Sequence, residues 1–144
     1  MRIYVASSWR NLRQPSVVEA LVAHGHDVYD FRDEDTGSFV FKWSDIDTDW
    51  EKWTGEFYAN HLQNNPLCMR GFCADFGGMN WADCCVLVLP CGRSAHLEAG
   101  WFVGRGKKLH ILLSGEDEPE LMYRMAHGIW RDMEELIGGL GHGN

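Results

Sequence analysis

The chain has 144 residues, 45% of them hydrophobic and only four of them proline, enough for one compact domain with a full core and too few for a second. Thirteen basic residues against 21 acidic ones leave a net charge of −8, which argues against a broad surface tracking the phosphates of DNA or RNA while leaving room for one small anionic ligand. No apolar run approaches the roughly 20 residues that span a bilayer, and residues 1–5 read as a strand rather than a signal peptide, so the expectation is a cytoplasmic protein that does not touch a membrane.

Residues 3–6 read as a first buried strand, and Pro15 with Ser16 opens a helix whose Val17, Val18, Leu21 and Val22 recur at helical spacing. Gly25 ends it. Residues 27–31 give a second strand and residues 32–38 a polar loop. Between residues 39 and 62, Trp43, Trp50 and Trp53 alternate with Asp45, Asp47, Asp49 and Glu51. One reading is a helix from about Asp49 that packs its tryptophans on the sheet and turns its acids to water. The other makes Trp43, in the loop, a stacking platform for a planar ligand.

Residues 67–81 form a helical stretch containing Asp75, and Asp83, read as a cap or turn residue, leads into a strand over residues 85–89. The cysteine count is odd, five, and side chains at Cys84 and Cys85 point to opposite faces of a strand, so reduced, packed thiols fit better than a metal site. A turn over residues 90–94 precedes a helix over residues 94–105, which closes at Gly104, Arg105 and Gly106, and residues 109–113 form the next strand. Residues 119–126 and 131–137 read as closing helices, and residues 138–144 as a flexible Gly-rich tail. Strands alternating with helices predict a parallel sheet covered on both faces, a single α/β domain over residues 1–137.

Open α/β sheets build their ligand sites outside the carboxyl ends of the strands, and that is where Glu98 falls, just inside a helix following a strand. A first-turn acid also suits the helix dipole, but Ser94 stands four residues before Glu98, not the three of a capping box. Ala99 and Gly100 beside it allow close approach. Asp75, flanked by Phe72, Ala74, Phe76 and two glycines with no nearby cation in sequence, is a second candidate acid. Two carboxylates, one nucleophile and one proton handler, are what glycosyl transfer needs. Ser7, Ser8 and Arg10, after the first strand, suit a phosphate, or else Ser8 or Asn11 caps a helix there. Neither the Gly-rich dinucleotide fingerprint nor a Walker loop is present. Gly92, Arg93 and His96 flank the turn before Glu98; His96 is a proton relay, a phosphate contact or a local hydrogen-bonding residue.

On three landmarks the sequence resembles the nucleoside 2-deoxyribosyltransferases and their relatives, the deoxynucleoside 5′-monophosphate N-glycosidases. They are Ile3-Tyr4-Val5-Ala6-Ser7-Ser8-Trp9-Arg10, the Asp75 to Asp83 spacing before a buried strand, and Leu97-Glu98-Ala99-Gly100-Trp101 followed by Gly106-Lys107. The resemblance runs over residues 2–122 and implies a flavodoxin-like, five-stranded parallel sheet without metal or organic cofactor. It implies Glu98 as the nucleophile at the anomeric carbon, Asp75 as the residue that handles the base's proton, and Tyr4 beside sugar and nucleophile. Ser8 and Arg10 match the phosphate-holding serine and arginine of the monophosphate branch, with Ser94 completing the cradle. The transferase branch carries an acid where this chain has Gly92 and a neighbouring subunit's amide near Leu121 and Met122, where this chain offers Glu120. Those departures favour hydrolysis over base exchange. The resemblance further implies a homodimer or larger homo-oligomer, with Glu120, Met122 and Tyr123 in a neighbour's pocket. Two other readings stand beside this one: a nucleotide-binding module without turnover, and an NAD glycohydrolase.

Overall fold

The structure is a computed structural model that describes residues 1–34 and 39–141. The chain forms two compact units, the first joining Met1–Asp30 to Met79–Asn144 and the second spanning Phe31–Gly78.

The first unit holds the sheet. Its strands are β1 (Arg2–Ala6), β2 (Asp27–Tyr29), β3 (Cys84–Val88), β4 (Lys108–Leu112) and β5 (Gly128–Trp130), in the order β2-β1-β3-β4-β5. Every pairing is parallel, with Ile3 opposite Val28 and Cys84, and Val86 opposite His110. This is the flavodoxin-like order that was expected, and its direction of winding reverses between β1 and β3. β1, β3 and β4 are near-continuous apolar runs because helices cover both of their faces.

Alternation along the strands sorts the side chains. Ile3, Val5, Cys84, Val86 and Leu112 join Val17 and Leu21 of α1 (Gln14–Ala23) and Leu136 and Leu140 of α5 (Met133–Leu140) in one core. Tyr4, Cys85, Leu87 and Ile111 point the other way. There α4 (Arg93–Gly104) covers them with the buried Ala95, Ala99 and Phe102, the last tilted against Tyr4 at 5.7 Å between ring centroids. Both α1 and α4 end in the same device: Gly25 and Gly106 take positive φ (81° and 71°), and the next residue's N–H reaches back to Leu21 and Phe102 respectively.

Lys107, after the Gly106 helix end, has a structural task. Its ammonium donates to the carbonyls of Met79 (3.0 Å), Asn80 (3.1 Å) and Ala82 (2.6 Å), tying off the end of α3 (Pro66–Trp81). Burial pulls the lysine's pKa down, and the three carbonyls replace the water it has lost. Asp83 is structural, as read: it accepts from the backbone N–H and the guanidinium of Arg2, at 2.9 and 2.7 Å, which holds its carboxyl below the usual range.

Several boundaries differ from the sequence reading. β2 stops at Tyr29 rather than residue 31. The helix expected over residues 119–126 is a 3₁₀ turn, Leu121–Met125, and the stretch read as a helix from residue 131 is preceded by β5. The closing helix starts at Met133, where Asp132 accepts from the Glu135 N–H, and runs through Leu140. Its end does not stop at residue 137 because Leu140 is buried and Gly139 packs on Trp130. Residues 142–144 of the expected tail, and 35–38 of the expected loop, lie outside the described residues.

In the second unit no helix begins at Asp49. Trp50–Lys52 makes one 3₁₀ turn, Trp53 is extended, and α2 (Gly55–Asn64) starts after Thr54, whose hydroxyl accepts from the Phe57 N–H. Asp47 is not simply turned to water, since it accepts from the indole N–H of Trp53 at 2.7 Å, which lowers its pKa. Trp43 meets the edges of Phe41, Trp53 and Tyr58 within an aromatic cluster.

Candidate active site

The carboxyl ends of β1 and β3 are laced together by side chains. The Ser7 hydroxyl donates to the Val88 carbonyl (2.9 Å) and accepts from the amide of Asn11 (3.1 Å). The same Asn11 nitrogen faces the carbonyls of Val88 (3.3 Å) and Pro90 (3.2 Å), while the Asn11 side-chain oxygen accepts from the Arg13 N–H (3.0 Å). Arg13 in turn donates to the Leu113 carbonyl at the end of β4 (2.6 Å). Ser8 is half-buried and accepts from the Arg10 N–H through its hydroxyl, leaving Arg10 exposed at the rim.

The turn fixed in this way delivers α4. Gly92 is its cap and offers no side chain, so Ser94 sits in the first turn instead of capping it, exposed beside Arg93. Glu98 follows, half-buried, one turn ahead of Phe102 and therefore on the face of α4 that meets the sheet. Phe102 packs on Tyr4, which is 1% exposed and pairs in register with Cys85. The carboxylate also acts on two thiols near it. Burial raises the thiol pKa of Cys85 well above its ordinary value, and that of Cys91 to about 12, and the charge of Glu98 pushes both further in the same direction. Tyr4 and Glu98 thus have Cys85 as a common neighbour, Tyr4 beside it in register and Glu98 through its charge. Tyr4 is also stacked on Tyr29, at 5.2 Å and 8°.

His96 closes the other flank. A carbonyl can only accept, so the contact of His96 Nδ1 with the Gly92 oxygen (2.8 Å) puts the proton on Nδ1, and Nε2 accepts from the Tyr123 hydroxyl (2.8 Å). The two rings stack at 5.8 Å. Tyr123, expected in a neighbour's pocket, is therefore engaged by its own chain, and burial raises its pKa. With Pro90, Cys91, Asp117 and Glu120 the pair lines a cleft of about 290 Å³. Asp117 shapes its wall by accepting from the Ser114 hydroxyl and the N–H groups of Ser114 and Gly115, where Gly115 has φ 101°. Glu120 is exposed, as are Leu121 (85%) and Met122 (62%) beside it. Among the described residues no three His, Cys, Asp or Glu side chains gather as metal ligands do, and no helix is long and apolar enough to cross a membrane.

By sequence, no family model and no curated protein matches the chain. Solved structures do match. A 2-deoxyribosyltransferase from the psychrotolerant bacterium Bacillus psychrosaccharolyticus superposes with a TM-score of 0.62 at 18% identity, covering 99% of this chain and 98% of that one. A CMP N-glycosidase from Clostridium botulinum gives a TM-score of 0.52 at 17% identity, over 97% of this chain and 98% of its own. The chain has the fold of these two proteins.

Within this deoxyribosyltransferase-like fold, the sheet unit holds both Tyr4 and Glu98 and joins Ser7 to the end of β3. Asp75, half-buried in α3, and Trp43 belong to the second unit. Sequence reasoning missed Asn11 as anything beyond a helix cap, and missed the wall made by Asp117. The Ser114-x-x-Asp117 spacing, a hydroxyl three residues before an acid after a strand, was the available signal for the wall. The local bonds of Asn11, to Ser7 and the Arg13 N–H, mark it only as a turn residue, and its partners Val88 and Pro90 are 77 and 79 residues away.

Proposed function

We propose that this chain is an enzyme that cleaves the N-glycosidic bond of a (deoxy)nucleoside 5′-monophosphate through a glutamate nucleophile. The observation that carries this reading is Glu98, a half-buried carboxylate over the β1–β3 crossover, next to the row of Tyr4, Cys85 and Phe102. Two proteins of the same fold are a 2-deoxyribosyltransferase and a CMP N-glycosidase, which supports glycosyl chemistry as the class.

In the proposed reaction Glu98 attacks the anomeric carbon, the bond from that carbon to the base nitrogen breaks, and its electron pair leaves with the base. The base takes up a proton, a role that the resemblance assigns to Asp75. Water then attacks the same carbon, breaks the ester to Glu98 and frees the sugar phosphate with retained configuration. Tyr4 shapes the sugar side of the nucleophile. Ser8, Arg10, Arg93 and Ser94 supply hydroxyls, guanidinium groups and the first N–H groups of α4 to the phosphate. Gly92 brings no side chain where the transferase branch has an acid, which favours water over a second base. The assembly that goes with this reading is a homo-oligomer, for which the exposed Leu121 and Met122 are available.

The test is chromatographic detection of free base from a panel of nucleosides, 5′-mononucleotides and NAD, with and without an acceptor base, for the wild type and Glu98→Gln. Release from mononucleotides that falls at least about a thousandfold in the folded variant is the expected outcome. Release that persists in Glu98→Gln overturns the nucleophile. No release from any compound, with one of them raising the melting temperature, makes the protein a binding module; release from NAD alone makes it an NAD glycohydrolase.

A further inference from the structure

We infer that Asn11 is a positioning residue that couples phosphate binding to the nucleophile, an inference that rests on the function proposed above. Asn11 is polar yet only 4% exposed, and a buried amide persists where its hydrogen bonds are made. Its donors go to one strand end and one turn, the carbonyls of Val88 and Pro90, and to the hydroxyl of Ser7; its acceptor takes the Arg13 N–H. One side chain therefore grips both segments that matter. On one side lies the β1–α1 loop, whose Ser8 and Arg10 are the proposed phosphate contacts. On the other lies the turn from Val88 to Gly92, which fixes where α4 starts and so where Glu98 stands.

A rigid link between a remote binding group and the reacting group is what lets binding energy lower the barrier instead of only lowering KM. Truncating Asn11 leaves Ser8, Arg10 and Glu98 in the chain but removes the link between them. Phosphate then still binds, and its grip no longer aligns the anomeric carbon with Glu98; a misplacement of about 1 Å is enough to cost up to about a hundredfold in rate. A nucleoside, which has no phosphate to pull against, loses much less. A residue that merely stabilised the fold would slow both substrates alike.

The experiment compares kcat and KM for base release from a 5′-mononucleotide and from its nucleoside, in the wild type, Asn11→Ala and Asn11→Ser. The serine keeps a local acceptor for the Arg13 N–H but is too short to reach the Val88 and Pro90 carbonyls, so it reads the link if the alanine variant does not fold. The expected result is that the preference for the mononucleotide falls by about tenfold or more, through kcat, with its KM changed by less than about threefold. An unchanged preference in a folded variant overturns the inference, as does a wild type that treats the two substrates equally. Failure of the function itself is told apart by the wild type alone: it then releases base from neither compound, and the inference falls with it.

Discussion

Two neighbouring glycines in α5 are predicted to respond to the same substitution with opposite signs. In a helix, Gly→Ala gains about 0.5–1 kcal/mol of propensity, nearer the lower figure in a last turn. At Gly138 a new methyl meets nothing within 4 Å, so Gly138→Ala is stabilised by about 0.5 kcal/mol. At Gly139 the methyl lands inside the indole of Trp130, whose ring also abuts Gly128 and whose N–H donates to His110 at 3.2 Å. A pinned ring cannot withdraw cheaply, and overpacking of this kind costs about 1–3 kcal/mol. Gly139→Ala is therefore destabilised by about 1.5 kcal/mol net, and the pair differ by about 2 kcal/mol. At roughly 4 °C per kcal/mol for a chain of this size, thermal unfolding should move up by about 2 °C in one variant and down by about 6 °C in the other. Adding Trp130→Leu to Gly139→Ala should return part of the loss, a coupling expected only of residues in contact. Equal stability of the two alanine variants would refute the packing of α5 on Trp130.

Three further outcomes follow from the polar and sulfur groups. Lys107→Met removes the cap on α3 together with the ammonium that stands 5.4 Å from the ring centroids of Trp101 and Phe102, and denaturant unfolding should register a loss of about 1–2 kcal/mol. His110, 2% exposed, has its pKa lowered to about 4 by burial and by neighbouring His127 and Lys108. The unfolded chain then binds the extra proton first, so stability falls as pH drops from about 6.5 to about 4, by an amount of order 3 kcal/mol. Unfolding titrations of wild type and His110→Gln over that range should diverge toward low pH; parallel curves would exclude His110 as the source. Among the thiols, Cys73 is exposed, whereas Cys68, Cys84 and Cys85 are buried, so iodoacetamide followed by mass mapping should find Cys73 modified first.

What the sequence revealed depended on the range of the interactions. The place of Glu98, inside the helix that follows β3, was legible because the signals around it are local: an apolar strand, a Pro-Cys-Gly turn and small neighbours. β1, β3 and β4 were legible as apolar runs, and Gly25 and Gly106 as helix ends. β5 was not, since three residues starting with Gly128 carry no periodicity and the strand exists only because His110, Ile111 and Leu112 offer it an edge. The tryptophan-rich stretch suggested a helix from Asp49, but Asp47 captures the Trp53 indole and Thr54 caps the helix five residues later, a contest between hydrogen bonds that hydrophobic spacing does not register. The bond of the Tyr123 hydroxyl to His96, 27 residues away, was not legible either. Asn11 is the extreme case: its bonds to Ser7 and Arg13 are local, but those to Val88 and Pro90, which join two segments, are 77 and 79 residues away.

Glu98 and Phe102 stand one turn apart on a single helix, the first toward the proposed chemistry and the second in the core against Tyr4. The carboxylate cannot be slid or rotated without drawing that phenylalanine out of its seat. Change that preserves the fold is thereby diverted to the loops after β1, β3 and β4, which can vary around a carboxylate that stays put. Redesign for a different base or sugar phosphate should start in those loops and leave α4 untouched.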